Sequence, residues 1–270
     1  MFEILYPNHP KPSQSFLVWL IGFTEGDGSF IVVTKARGGL QFVISPNSHK
    51  GASTSDLQVL LYILKNLGFG KVIQQSKINK THRFIIQDMK HLMMICLLFN
   101  GNMVFFTRNA KFLIFLAAYN LIALRRNLDI IAPIMDTILP TLNDSWLSGF
   151  TDAEGCFSLS LLSNSLAYRL RFILSQKWNI NKSIFLHIAS LFNVGFVSPH
   201  SAPNNWQYTV NGVKNTVFIL PYFDQHALKT NKKDSYLLWK ELRLQLINKD
   251  HLNLESRKEM IKLAKRVNNI

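Results

Sequence analysis

Two carboxylates stand out by their position. Asp27 and Glu154 each lie one residue before a glycine, Gly28 and Gly155, and each closes a stretch that occurs twice, WLIGFTEGDGSF from Trp19 and WLSGFTDAEGCF from Trp146. Seven of the twelve positions are identical across an offset of 127, and both acidic positions stay acidic, so the chain contains an internal duplication. An acid at the C-terminal end of a helix is unfavourable, because that end is already the negative pole of the helix dipole. Two such acids side by side also repel. A hard cation between them removes both objections, since carboxylates and the orphan carbonyls of helix ends are oxygen ligands of the kind Mg²⁺ takes. A metal clamp flanked by β-hairpins on a basic protein points to phosphodiester hydrolysis.

The elements that must position these acids follow from local pattern. Ser13 or Ser15 can cap a helix beginning near Phe16, which must end at Gly26 to Gly28, where glycine tolerates a left-handed turn. Small residues four apart, Gly22 with Gly26 and Gly149 with Ala153, let two helix backbones approach closely, so these four are the expected helix interface. If the copies pack about a pseudo-twofold axis, their acidic ends meet. After the first helix, Ser29 to Lys35 and Leu40 to Ser45 read as a hairpin around Arg37-Gly38-Gly39, then a helix Leu57 to Leu67 ending at Gly68. A second hairpin, Lys71 to Ser76 with His82 to Gln87 around Asn79-Lys80, precedes helices Met89 to Phe99 and Thr107 to Leu124.

The order repeats after Asn143 or Asp144, with hairpins Phe157 to Leu162 with Tyr168 to Ser175 and Gly195 to His200 with Trp206 to Val210, and a helix Lys182 to Phe192 between them. At an offset of 124, Phe99 falls on Phe223, Phe112 on Tyr236, Phe115 on Trp239 and Arg108 on Lys232. The expected fold is α+β: tandem αββαββα units related by a pseudo-twofold axis. Domains of 1–125 and 142–270 are joined by a linker, 126–141, that carries Pro133 and Pro140. Lys229 to Ile270 reads as an amphipathic helix packed on its own domain.

Composition narrows the partners. Of 270 residues, 48% are apolar and 17% charged, which supports a sizeable core, and Lys and Arg exceed Asp and Glu by 30 to 16, a net charge of +14. That balance favours a polyanion. The apolar runs Leu92 to Phe99 and Phe112 to Leu124 are short or broken by Asn120, so no membrane partner is expected. The first residues have neither a signal-peptide nor a transit-peptide pattern. Two cysteines, Cys96 and Cys156, are too few for a disulfide framework or a zinc site, and a reducing compartment is expected.

The paired stretches Leu20 to Gly28 and Leu147 to Gly155 resemble the nine-residue motif of two-motif LAGLIDADG homing endonucleases encoded in organellar introns, and the similarity spans nearly the whole chain. The resemblance implies a saddle whose hairpins form two four-stranded antiparallel sheets, one per unit, lying in the DNA major groove, and a monomer that cuts both strands of a long asymmetric site across the minor groove, leaving 3′ overhangs. By position, Asp27 and Glu154 become the metal ligands, with the carbonyls of Gly26 and Ala153 completing coordination. The cofactor implied is Mg²⁺, with Mn²⁺ as a substitute and Ca²⁺ supporting binding without cleavage. Glu25 and Asp152 are read instead as polar contacts at the helix ends.

Lys232, in the stretch Leu228-x-Thr230-x-Lys232, and Arg108 opposite it are placed near the scissile phosphates. Gln176 falls where the family has a polar group at the hydrolytic water, whereas the first copy offers Pro46-Asn47. Bases would be read by alternate strand residues. These are Ser29, Lys35, Arg37, Gln41, Gln74, Lys77 and Arg83 in the first half, and Ser158, Ser160, Asn164, Arg169, Arg171, His200, Asn204 and Gln207 in the second. Rival readings of the same fold are an intron maturase bound to its own intron RNA, and a DNA-binding protein without catalysis. Organelle encoding is expected, in a mitochondrion or alternatively a chloroplast.

Overall fold

The computed structural model describes residues 2–33, 39–46, 54–76, 78 and 81–267. Lys35, Arg37, Asn47 and Lys77, and the hairpin connections expected at Arg37-Gly38 and Asn79-Lys80, lie outside the described residues. The chain divides into two compact units, Met1–Ala153 and Glu154–Ile270.

The first unit begins with a short α1 (Phe2–Leu5) in the N-terminal lead-in. It continues through α2 (Gln14–Asp27), β1 (Gly28–Val33), β2 (Gly39–Ile44), α3 (Thr54–Leu67), β3 (Lys71–Ser76), β4 (Thr81–Ile86), α4 (Met89–Phe99), α5 (Phe106–Arg125) and nearly all of α6 (Trp146–Glu154). Its four antiparallel strands run in the order β1-β2-β4-β3. The Ser13 hydroxyl accepts from the Phe16 amide at 3.2 Å, and this cap starts α2. At the other end the structure corrects an expectation. Gly28 has φ −86°, an extended and not a left-handed conformation. Glycine is required there for space, since a Cβ would lie 2.3 Å from Thr24 Cγ2 and 2.7 Å from the Thr24 carbonyl oxygen. Gly68, at φ +75°, does make the left-handed stop after α3.

No helix or strand is assigned between α5 and α6, but the connection is tied down. The Asn120 side chain bonds both main-chain groups of Ile131, and Asn100 bonds the Ala132 carbonyl and the Ile134 amide, all within 2.9 Å. Asp144, not Asn143, makes the cap, accepting from the Trp146 amide at 3.0 Å.

The second unit contains β5 (Cys156–Leu161), β6 (Tyr168–Lys177), α7 (Lys182–Phe192), β7 (Phe196–Pro199), β8 (Asn205–Asn211), α8 (Gly212–Thr216), α9 (Leu220–Gln225), α10 (Lys232–Ile247) and α11 (Leu254–Arg266). Its antiparallel sheet has the order β5-β6-β8-β7, the same topology as the first. The single C-terminal helix expected from Lys229 onwards is two helices. Lys249 enters the left-handed region at φ +64°, and Asn253 caps α11 by accepting from the Glu255 and Ser256 amides.

The duplication extends to the packing of the two cores. Phe30 lies 5.3–5.4 Å, ring centre to ring centre, from Phe42, Phe99, Phe112 and Phe115. Phe157 lies 5.2–5.5 Å from Phe172, Phe223, Tyr236 and Trp239, of which the last three are the residues that the internal offset pairs with Phe99, Phe112 and Phe115. Each strand entering from a motif helix thus drops one aromatic ring into a nest supplied by the sheet and the following helices. Such packing dominates the energetics of a core.

Candidate functional site

The two motif helices touch through their glycines. A Cβ on Gly22 would stand 2.0 Å from the Trp146 carbonyl oxygen and 2.9 Å from the Phe150 nitrogen; one on Gly149 would stand 1.9 Å from the Trp19 carbonyl oxygen and 2.8 Å from the Phe23 nitrogen. The contact is reciprocal, each glycine seating on the backbone three residues before its counterpart, so α2 and α6 cross about a local twofold. Trp19 stacks on Phe23 at 4.9 Å, Trp146 on Phe150 at 5.3 Å, and Phe105 packs on Phe150 at 4.8 Å. Of the four small residues expected at this interface, Gly22 and Gly149 make the close approach. At Gly26 the recorded partner is an arginine, described below.

The inner acids of the motif are structural. Glu25 is fully buried, and its Oε1 accepts from the amides of Val104 and Phe105 just before α5. Asp152 takes another partner, the Trp19 indole N–H, at 2.8 Å. The corresponding pair, Trp146 Nε1 and Glu25 Oε2, is buried with neither atom bonded among the described residues. Glutamate's extra methylene carries its carboxyl to the Val104 and Phe105 amides instead.

Burial pushes the Glu25 carboxyl up from 4.5 to about 8, against the lowering effect of the two amide bonds and of Arg108. Between these pH values the folded protein keeps a proton that the unfolded chain has lost. The contribution of Glu25 to stability is therefore full below pH 4.5 and falls, by at most ~1.4 kcal/mol per pH unit, up to about pH 8. Urea unfolding at pH 5 to 8 should show wild type losing stability relative to Glu25→Gln; parallel profiles would overturn this account.

The outer acids behave differently. Asp27 and Glu154 are the last residues of α2 and α6, half-buried and exposed respectively. The Asp27 carbonyl accepts from the Ser45 amide at 3.2 Å, tying the helix end to the exit of β2. Arg108, on the first turn of α5, sends its guanidinium to the carbonyls of Gly26 and, at 3.1 Å, Gly28. A cation at a helix N-terminus is unfavourable, and here the negative pole of α2 offsets it. One lone pair of the Gly26 carbonyl, the oxygen expected to help complete metal coordination, thus takes an arginine N–H, and a carbonyl oxygen has two.

Lys232 opens α10, its amide capped by Thr230 Oγ1 at 3.2 Å. Gln176 lies near the end of β6, where its Oε1 accepts from the Lys177 amide and its buried Nε2 has no bond among the described residues. The register confirms its counterpart: Phe42 pairs with Phe30 and Phe172 with Phe157, and four residues further on stand Pro46 and Gln176.

Alternation sorts the proposed base-reading residues by face. In the first sheet Phe30, Phe42, Phe84 and Ile86 point to the core; Ser29, Gln41 and Arg83 occupy the opposite face together with Ile31, Val43, Ile73 and Ile85. Gln74 does not join them. It pairs with His82, in phase with Val72 and Phe84, at a bulge that breaks the ladder before Ser76.

In the second sheet Ser158 sits opposite Arg171 and Ser160 opposite Arg169, all on the face away from Phe157 and Phe172. Gln207, its Nε2 bonded to Ser198 Oγ at 3.3 Å, sits opposite Ser175 on that face. Asn164 is in the β5–β6 turn, and His200 and Asn204 are in the β7–β8 turn. Ser175 and Lys177 complete the outward row begun by Arg169 and Arg171. Period-two counting through the whole of β6 would have found them. Ser158 Oγ and the Nε atoms of Arg83 and Arg171 are unbonded among the described residues.

Known proteins share this arrangement. The family model described as LAGLIDADG endonuclease matches residues 20–119 and, again, 147–243. A Neurospora crassa protein named probable intron-encoded endonuclease 4 is 36% identical over 94% of this chain, which spans 44% of that relative's length. A 37.2 kDa cox1 intron-2 protein of Schizosaccharomyces pombe is 26% identical, over 93% of this chain and 72% of its own. The crystal structure of meganuclease I-SmaMI bound to DNA superposes with a TM-score of 0.79 at 19% identity, over 96% of this chain and 100% of that one. LAGLIDADG meganuclease I-AabMI, bound to uncleaved DNA, gives 0.76 at 23% identity, over 92% and 98%. At such identities the solved structures establish a common fold. With a motif helix and its four-stranded sheet inside each matched stretch, the chain belongs to the LAGLIDADG endonuclease family and carries that domain twice.

Proposed function

We propose that the chain is a monomeric, site-specific DNA endonuclease that cuts both strands of a long asymmetric duplex across the minor groove and leaves 3′ overhangs. The observation that carries this reading is the repeated unit itself: a helix ending in a carboxylate that runs into a sheet whose outward face holds Arg83 in one unit and Arg169, Arg171 and Lys177 in the other. Asp27 and Glu154 are the proposed metal ligands, with main-chain carbonyls beside them. Among the described residues no three His, Cys, Asp or Glu side chains cluster. The donor set is therefore hard oxygen and incomplete, which suits Mg²⁺ or Mn²⁺ sharing its shell with phosphate and water better than a self-contained zinc site. Such an ion supplies a polarised phosphate and a more acidic water.

The chain's own groups do the rest. Arg108, braced on Gly26 and Gly28, keeps further N–H donors for a phosphate oxygen, Lys232 serves the other half, and the Gln176 amide donates to the attacking water. Relatives with intron-borne names support an organellar, mitochondrial origin.

The test is cleavage of a plasmid carrying the protein's own insertion site. Mg²⁺ should give linear product and Ca²⁺ only bound complex; DNA bound but uncut in Mg²⁺ would sink the endonuclease reading and leave the maturase or a purely binding role. Affinity should also fall steeply with salt, about a thousandfold between 50 and 200 mM for roughly six phosphate contacts. A flat dependence would contradict binding through the basic sheets.

A further inference from the structure

Arg257, on α11, is 8% exposed. Every hydrogen bond of its guanidinium among the described residues goes to a main-chain carbonyl. Nη2 donates to Leu162 and Ser165 at 2.7 Å and to Ala167 at 3.5 Å; Nη1 donates to His251 at 3.2 Å and Leu166 at 3.5 Å. Four of these five carbonyls belong to one loop, the 162–167 connection between β5 and β6. The planar fork of arginine suits such multiple bonding, and the burial of a cation is made tolerable by the converging carbonyl dipoles. Among the described residues the loop's other hydrogen bonds are one main-chain bond, from the Leu162 amide to the Ala167 carbonyl at 3.1 Å, and a 3.4 Å bond from the Ala167 amide to Ser165 Oγ. Its carbonyls turn inward to Arg257 while Ser163, Asn164 and Ser165 are exposed.

From this we infer that Arg257 is a specificity-determining positioning residue: the C-terminal helix clamps the β5–β6 loop from beneath and so aims the base-reading side chains at its tip. The inference rests on the reading of the protein as a sequence-specific DNA-binding nuclease. Discrimination between bases depends on side chains held to a fraction of an ångström, and a loop with the small polar tip Ser163-Asn164-Ser165, left unclamped, samples too many positions to provide it. The first unit is built differently here, since an irregular connection and not a second helix follows α5. The clamp belongs to one half-site.

The experiment is selection of randomised duplex DNA in Ca²⁺ by the full chain, as wild type, Arg257→Leu, Arg257→Lys and Asn164→Ala, with thermal unfolding of each as the check on folding. The Arg257 variants should lose about tenfold in preference within one contiguous block of base pairs, the same block that Asn164→Ala affects, and keep wild-type preference elsewhere. On the selected site in Mg²⁺ they should raise KM and leave kcat near wild type. Should the leucine variant not fold, the lysine variant carries the test, since it keeps the charge but not the fork. A folded Arg257 variant with an unchanged profile, or with preference lost evenly along the whole site, overturns the clamp. A wild type that selects no sequence overturns the DNA-reading function itself, and the clamp with it.

Discussion

Asp27→Asn and Glu154→Gln are each expected to lower double-strand cleavage by about a thousandfold or more, while affinity for the same DNA in Ca²⁺ stays within a few-fold of wild type. The size follows from the role proposed: losing a ligand that positions the cation forfeits several kcal/mol of transition-state stabilisation, and each ~1.4 kcal/mol is a factor of ten in rate. The replacements are isosteric, so the helix ends keep their shape. A second readout separates this account from a structural one. Asp27 lies at the negative pole of α2, with the Arg108 guanidinium on the carbonyls either side of it, so removing its charge should leave stability within about half a kcal/mol of wild type. Single-turnover cutting and thermal unfolding measure the two effects, and full cutting by either variant would remove the metal assignment. Marked destabilisation at Asp27 would point to a structural carboxylate, as at Glu25.

The second large effect is on folding. Gly22→Ala and Gly149→Ala should each destabilise the protein by about 3–5 kcal/mol and lower Tm by roughly 10 °C. The added methyl would meet main-chain atoms at 2.0 and 1.9 Å. No rotamer change relieves a clash with backbone, so the helices must part. The stacked rings of Trp19, Phe23, Trp146 and Phe150 would then lose their packing together. Because the contact is reciprocal, the two variants should behave alike. Gly39→Ala is the control: among the described residues nothing lies within 4 Å of a Cβ there, and its melting should match wild type. A Gly22→Ala protein that melts within a degree of wild type would show that the close helix approach is dispensable.

Much of the scaffold was readable because its signals are local. Helix ends at Asp27, Leu67 and Phe99 follow from caps and glycines, and α7 lies where the periodicity puts it. Comparing the two copies also located long-range packing, since the residues aligned to Phe99, Phe112 and Phe115 surround Phe157 as those three surround Phe30. Where the copies diverge, the sequence is less informative. The break at Lys249 was missed because a left-handed lysine has no compositional signature, and the cap at Asn253 was the one local sign of a new helix.

By itself, then, the sequence determined the duplication, the two acid-terminated helices, the glycines between them and the paired hairpins, all properties of short windows and of their repetition. Only the tertiary structure decided what each polar group does. Gly28 is required for its lack of volume, Glu25 holds amides about 80 residues away, and Arg108 reaches back 82 residues to the carbonyl at the helix end. Register turned Gln74 away from the face that Arg83 occupies, and a guanidinium more than 90 residues downstream pins the β5–β6 loop. Such roles depend on which distant main-chain groups are left unsatisfied near a side chain once the core has packed, and no local window of sequence contains that information.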